Sequence, residues 1–204
     1  MLTEKQIRIF EPFVRKPFTE YTLKQIKELS REKSNNALNI SMKKFKKEIL
    51  LIERKVGKSS LYKLNFDNDL VYYYMALCNQ NRLSEMVLRS LDIIKSEVER
   101  FTSFYSLIIF GSYAIQQQRK ESDLDIAIFI ENKKMKKYIE IALNSASLKS
   151  LLNLDSHIIT KDEMIEMLKV DYENLGKEIM RKHMIVHNQQ IFYNVVLKEV
   201  KNGF

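Results

Sequence analysis

A single cysteine, Cys78, in 204 residues excludes an intramolecular disulfide and any cysteine-rich zinc cluster. Its side chain reads as a small buried hydrophobe. No apolar run is long enough to span a bilayer and no signal peptide is apparent, so the expectation is a cytoplasmic protein with no membrane partner. Internal repeats and low-complexity segments are also missing, which excludes a solenoid or a tethering tail. Acidic residues are scarce in one region only. Residues 1–66 hold 16 Lys/Arg against 7 Asp/Glu, while residues 67–204 hold 18 against 19. The whole net charge of +8 therefore sits in the first third, as expected if that third meets a polyanion and the rest does something else.

What is present reads as a soluble globular chain, 45% hydrophobic and 29% charged, long enough for one large domain or two small ones. Glu4 to Val14 places Ile7, Phe10 and Val14 at helical spacing, with Pro12 and Pro17 punctuating its end. Thr22 is a candidate N-cap for a helix with Leu23, Ile26 and Leu29 on one face. A third helix is predicted from Ala37 to Ile49, apolar along Leu38, Met42, Phe45 and Ile49 and polar on the other side. Leu50 to Val56, a turn at Gly57-Lys58, and Ser59 to Phe66 alternate as a hairpin should.

This order of helix, helix, turn, helix and hairpin resembles a winged helix-turn-helix domain over residues 1–66. The resemblance implies duplex DNA as a partner, with the third helix in the major groove. Asn39, Lys43, Lys44 and Lys47 on that helix, and Lys58 at the wing tip, are the residues expected to reach it. Winged helices also dock proteins, and a solvated lysine face gives the same pattern. Residues 67–82 are expected to form a connecting helix and linker, with Tyr72, Tyr73 and Tyr74 packing between the two halves. A longer helix, Leu83 to Phe101, carries an apolar stripe suited to lie on a sheet.

The chemistry is concentrated in Leu107–Ile130. Leu107-Ile108-Ile109-Phe110 reads as a buried strand that meets Gly111-Ser112, and a second strand opens with Asp123-Leu124-Asp125. Alternation along a strand puts Asp123 and Asp125 on one face. Two carboxylates so close repel each other unless a cation lies between them, and hard divalent ions take such oxygens as ligands. The glycine lets the backbone approach a ligand, and the free N–H groups with the Ser112 hydroxyl suit phosphate oxygens. Asp155, on the polar face of a later strand with Asn153 and His157, is expected to be the third acid.

Gly-Ser, ten residues (Tyr113 to Ser122), Asp-x-Asp and a later strand Asp resemble the DNA-polymerase-β-like nucleotidyltransferase superfamily. Within it the chain looks most like the minimal nucleotidyltransferase (MNT) group, which includes antitoxin partners of HEPN toxins. The segments Asn174–Ile179 and Ile185–His187 look like the helix and strand that close such domains. The resemblance implies an α+β protein: an N-terminal winged helix-turn-helix domain, then a small nucleotidyltransferase domain over residues 83–204 with a mixed β-sheet flanked by helices. It implies Asp123, Asp125 and Asp155 as catalytic and metal-binding residues, and Gly111 and Ser112 on the nucleotide phosphates. Two Mg²⁺ ions, with Mn²⁺ as a substitute, would serve as cofactors. An NTP would be the substrate, AMP the nucleotide expected to move to a hydroxyl acceptor, and a HEPN toxin one such acceptor. The alternative is a transcriptional regulator whose nucleotidyltransferase domain only binds nucleotide or a partner. One departure stands out: many members carry Arg-Gly shortly after the Gly-Ser turn, where this chain has Ile115-Gln116. Lys177, Arg181, Lys182 and His183 are further basic residues near the end of the domain.

Overall fold

The computed structural model describes residues 1–201, which divide into two compact units, residues 1–81 and the chain from Arg82 onward. No helix among the described residues is long and apolar enough to cross a membrane.

The first unit runs α1 (Glu4–Arg15), β1 (Tyr21–Thr22), α2 (Leu23–Leu29), α3 (Asn35–Lys47), β2 (Leu51–Val56), β3 (Ser59–Leu64) and α4 (Asp69–Gln80). Threonines start two of the helices. Thr3 with Gln6 and Thr22 with Gln25 form reciprocal capping boxes, and Ser34 accepts from the Ala37 N–H to start α3. Phe10 is the centre of the core, with Phe13, Phe45 and Tyr74 around its ring. The three strands pair antiparallel in the order β1-β3-β2, and Gly57 at φ +58° makes the hairpin turn.

Several elements differ from the sequence pattern. Helix α3 stops at Lys47, and Ile49 is left 62% exposed at φ +54°. There the Ile49 and Leu50 N–H groups bond back to the Lys46 and Phe45 carbonyls, closing the helix end before the apolar stripe can continue. On α2 only Ile26 is buried, while Leu29 is 56% exposed. The stretch expected to connect two domains holds α4, which packs on α1. Two of its tyrosines are used inside this unit: Tyr72 donates to the Phe66 carbonyl and Tyr74 packs on Phe10. Tyr73 is exposed.

The second unit runs α5 (Glu85–Glu99), β4 (Tyr105–Phe110), α6 (Gly111–Ala114), β5 (Leu124–Ile130), a 3-10 turn (Lys133–Met135), α7 (Lys136–Lys149) and β6 (Leu154–Thr160). It ends with α8 (Lys161–Lys169), α9 (Leu175–Arg181), β7 (His183–His187) and α10 (Gln189–Lys201). The mixed sheet has the order β6-β5-β4-β7, with β5 and β6 parallel and the other pairs antiparallel. The parallel pair needs a crossover, which α7 supplies. One face of the sheet, including Leu107, Ile109, Leu124, Ile126 and Ile128, packs on α5 and α7. Phe129, on the opposite face, packs edge-on against Phe192 of α10. Cover on both faces explains why all six residues of β4 are buried and why β5 is apolar from Ile126 onward.

His183 lies wholly inside this unit. Its Nδ1–H donates to the Ile179 carbonyl and its Nε2 accepts from the Tyr193 hydroxyl, each at 2.9 Å. Burial pushes its pKa down to about 4, so it is neutral at physiological pH and is no phosphate cation. Arg181 is paired with Glu173.

Candidate active site

The site is assembled where β4 and β5 meet α6. Gly111 ends β4 at φ +62°, a region that strongly favours glycine. A Cβ placed there would lie 2.1 Å from Asp125 Oδ2 and 3.0 Å from its Cγ. The bare glycine backbone thus forms one wall of the Asp125 pocket. The backbone N–H of the next residue, Ser112, favours the charged form of the Asp125 carboxyl. The Ser112 hydroxyl has no hydrogen-bond partner among the described residues.

Helix α6 is only four residues long. The helix stops at Ala114, and Gln116 turns into the left-handed region at φ +58°. Its N–H and that of Gln117 bond back to the Tyr113 and Ser112 carbonyls, at 3.2 and 2.9 Å. This is the helix ending that glycine favours, made here by a glutamine. Arg82 Nη2 braces it by donating to the Ala114 carbonyl at 2.7 Å, and Gln116 Nε2 donates to the Arg82 carbonyl.

Parallel pairing of β5 and β6 sets Asp125 beside Asp155 in register. Asp123 precedes β5 and is exposed; Asp125 is half-buried and Asp155 exposed. The carboxyl of Asp125 is held above its ordinary range. Burial is the largest cause, followed by the anions Asp155 and Glu178, with Asp123 adding less; the Ser112 N–H opposes them. Anionic charge therefore accumulates around one partly desolvated carboxyl with a single backbone N–H to offset it. As the side chains stand, no group of three or more His, Cys, Asp and Glu among the described residues is close enough to hold a metal ion. Gly111, Ser112, Asp123, Asp125 and Asp155 nonetheless belong to one end of the sheet.

Two further residues join this end. Glu178, on α9, is exposed and acts on Asp125. Nothing in its local sequence separates it from other surface acids, so only the fold brings it into view. His157, next on the polar face of β6, has Nε2 at 3.2 Å from Asp155 Oδ1 and its ring 5.7 Å from that of Phe110.

The other candidate residues lie in the first unit. Asn39, Lys43 and Lys47 are exposed on α3, and Lys58 is exposed at the hairpin tip. Lys43, Lys47 and Lys58 have no carboxylate partner among the described residues. Lys44 is more constrained, since its Nζ donates to the Met1 carbonyl at 2.7 Å and lies 3.6 Å from Glu48.

Neither curated proteins nor solved structures gave a match to the chain. Residues 92–192 match the family model described as Polymerase beta, Nucleotidyltransferase. That stretch contains the Gly111–Ser112 turn, Asp123, Asp125, Asp155, Glu178 and all four strands of the sheet. The matched stretch lies within the second unit, which is thus similar to nucleotidyltransferase domains of the polymerase β type.

Proposed function

We propose that the second unit transfers a nucleoside monophosphate, AMP in the first instance, from an NTP to a hydroxyl acceptor, with Mg²⁺ or Mn²⁺ as cofactor. The observation that carries this reading is the Asp125 carboxyl, half-buried beside Asp155 and Asp123 and walled by Gly111. Hard carboxylate oxygens with unrelieved like charge fit a hard divalent cation. Asp123, Asp125 and Asp155 would hold it, and it would neutralise charge on the phosphates and acidify the acceptor hydroxyl. The Ser112 hydroxyl, free of protein partners, is suited to a phosphate oxygen. Asp155 is suited to accept the acceptor proton, with His157 orienting its carboxylate. Charge balances: the acceptor oxygen attacks the α-phosphorus, its proton passes to Asp155, and pyrophosphate leaves. The test is pyrophosphate release from each NTP with Mg²⁺ or Mn²⁺ and candidate acceptors, a HEPN-type toxin first. Release that Asp125→Asn abolishes supports the reading; no turnover with any acceptor overturns it.

The first unit is read as a winged helix-turn-helix domain that places the enzyme on duplex DNA. Support comes from its α1-β1-α2-α3-β2-β3 order, its β1-β3-β2 sheet and the unpaired Lys43 and Lys47 on α3. Neutralising n phosphates gives a salt slope of about −0.9n. Lys43→Ala with Lys47→Ala should therefore flatten the slope by about 2 and weaken binding to all sequences alike. A slope unchanged by the pair would make the unit a protein-docking module.

A second reading, a regulator that binds nucleotide without transferring it, is favoured by Ile115-Gln116, which stand where many members of the resembled superfamily carry Arg-Gly. It predicts NTP binding and salt-sensitive DNA binding with no turnover.

A further inference from the structure

The first unit holds a cleft of about 490 Å³ between α1 and the segment that follows α2. Its rim is cationic. Arg8, Arg15, Lys16 and Arg31 line it, and Glu11 is the one acid among the lining residues. Glu11 is already committed to Arg15, accepting from its Nε and Nη2 at 2.9 and 2.7 Å, which holds that guanidinium in place. Lys16 and Arg31 have no carboxylate partner among the described residues. Its apolar lining is Pro12, the buried ring of Tyr21, and Leu29, whose side chain is 56% exposed; Thr19 and Ser30 complete the lining.

Arg31 supplies an independent observation. It sits at φ +53°, just past the end of α2, and its N–H and that of Glu32 bond back to the Glu28 and Lys27 carbonyls at 3.1 Å each. Glycine is the residue such a helix end favours. An arginine there is conformationally uncomfortable, and it gains no ion pair among the described residues in return. The position carries a guanidinium at the mouth of a cleft already ringed by like charge.

We propose that this cleft binds a small phosphorylated ligand of the nucleotide class. Its phosphates would lie on Arg8, Arg15 and Arg31, and its base against Tyr21 and Leu29. Guanidinium forks match phosphate oxygens in pairs, and the anion relieves repulsion among the rim cations. A pocket of this size, lined by both apolar and cationic side chains, is of the kind that holds small ligands. The site is separate from the acids of the second unit and stands whether or not those acids catalyse transfer.

The test is calorimetric titration of the full chain with ADP, adenosine and pyrophosphate in EDTA, on wild type and on Asp125→Asn. Arg31→Gly removes the guanidinium while relaxing the backbone, so the variant keeps its fold, as its melting temperature will show. Arg8→Gln is the second variant. The expected result is ADP binding that survives Asp125→Asn, weakens about tenfold or more in Arg31→Gly and in Arg8→Gln, and exceeds that of adenosine. No binding at millimolar ADP, binding indifferent to both arginine variants, or binding lost in Asp125→Asn would each overturn the proposal.

Discussion

Replacing Gly111 by alanine should damage the site through one side chain. The residue sits at φ +62°, and its new Cβ would come to 2.1 Å from Asp125 Oδ2 and 3.0 Å from Cγ. Asp125 is short and half-buried, and the Ser112 N–H favours its charge, so its carboxylate must swing out of the pocket and lose that support. An L-residue in the left-handed region costs about 1–2 kcal/mol. Loss of that support and the forced change of rotamer add about 1–2 kcal/mol. Two effects work the other way: alanine restricts the unfolded chain, worth about 0.4–1 kcal/mol, and the displaced carboxylate regains solvent. A net loss of about 2–3 kcal/mol is the result, read by urea unfolding at neutral pH. A carboxylate displaced by an ångström or more should also lower pyrophosphate release by about a hundredfold or more. The cycle with Asp125→Ala isolates the contact. Once the carboxylate is gone, Gly111→Ala should cost only the backbone component, about 1–2 kcal/mol, leaving a coupling energy of about 1 kcal/mol or more. If Gly111→Ala costs the same in both backgrounds, the glycine is required by its backbone alone and the account of the Asp125 pocket is wrong.

The remaining predictions concern charge and backbone. Because the Asp125 pKa is raised in the fold, its contribution to stability is present below the unfolded carboxylate pKa and is lost as pH rises through the folded one. Asp125→Asn should therefore gain on wild type as pH increases from about 4 in thermal melts, and Mg²⁺ should raise the melting temperature of wild type but not of the variant. His183 behaves in the opposite way. Its pKa is lowered from 6.5 to about 4, so its stabilisation is complete above pH 6.5 and fades as pH falls through 4. At about 1.4 kcal/mol per unit this amounts to about 3 kcal/mol; His183→Gln melts that lose stability just as steeply between pH 6.5 and 4 as wild type would refute it. His187, also lowered by burial, contributes to the same window in both proteins. Finally, Ile49→Gly should stabilise the chain by about 0.5–1 kcal/mol in urea unfolding, since it holds positive φ without a glycine, and Gln116→Gly should gain less because it also gives up the bond from its Nε2 to the Arg82 carbonyl. Pyrophosphate release by Gln116→Gly, faster or slower than wild type, would show whether the departure from the family pattern limits turnover.

Much of the second unit was legible because its signals are local or periodic. The strand, Gly-Ser turn and Asp-x-Asp strand follow from apolar runs broken by polar residues, and the alternation around Asp155 marks its polar face. Glu178 was not legible, because its place beside Asp125 depends on where α9 docks, which no spacing encodes. One helix end was misread for a related reason. The apolar stripe running on to Ile49 suggests a longer helix, yet backward hydrogen bonds close α3 two residues earlier. Leu29 fits a buried stripe by spacing, but it is left 56% exposed and lines the cationic cleft instead. The tyrosines of α4 were expected between two halves; Phe10 and the Phe66 carbonyl claim two of them first.

The parallel register of Asp125 and Asp155 has a consequence for how the protein fails. Strand β6 lies at the edge of the sheet, hydrogen-bonded to β5 alone, and edge elements open locally at less free energy than the global transition requires. Each such opening takes Asp155 away from Asp125 while β4, β5 and Gly111 stay in place. Amide exchange in residues 154–160 should then report the fraction of molecules with a complete set of acids, and heat or mild denaturant should silence the chemistry before the fold is lost.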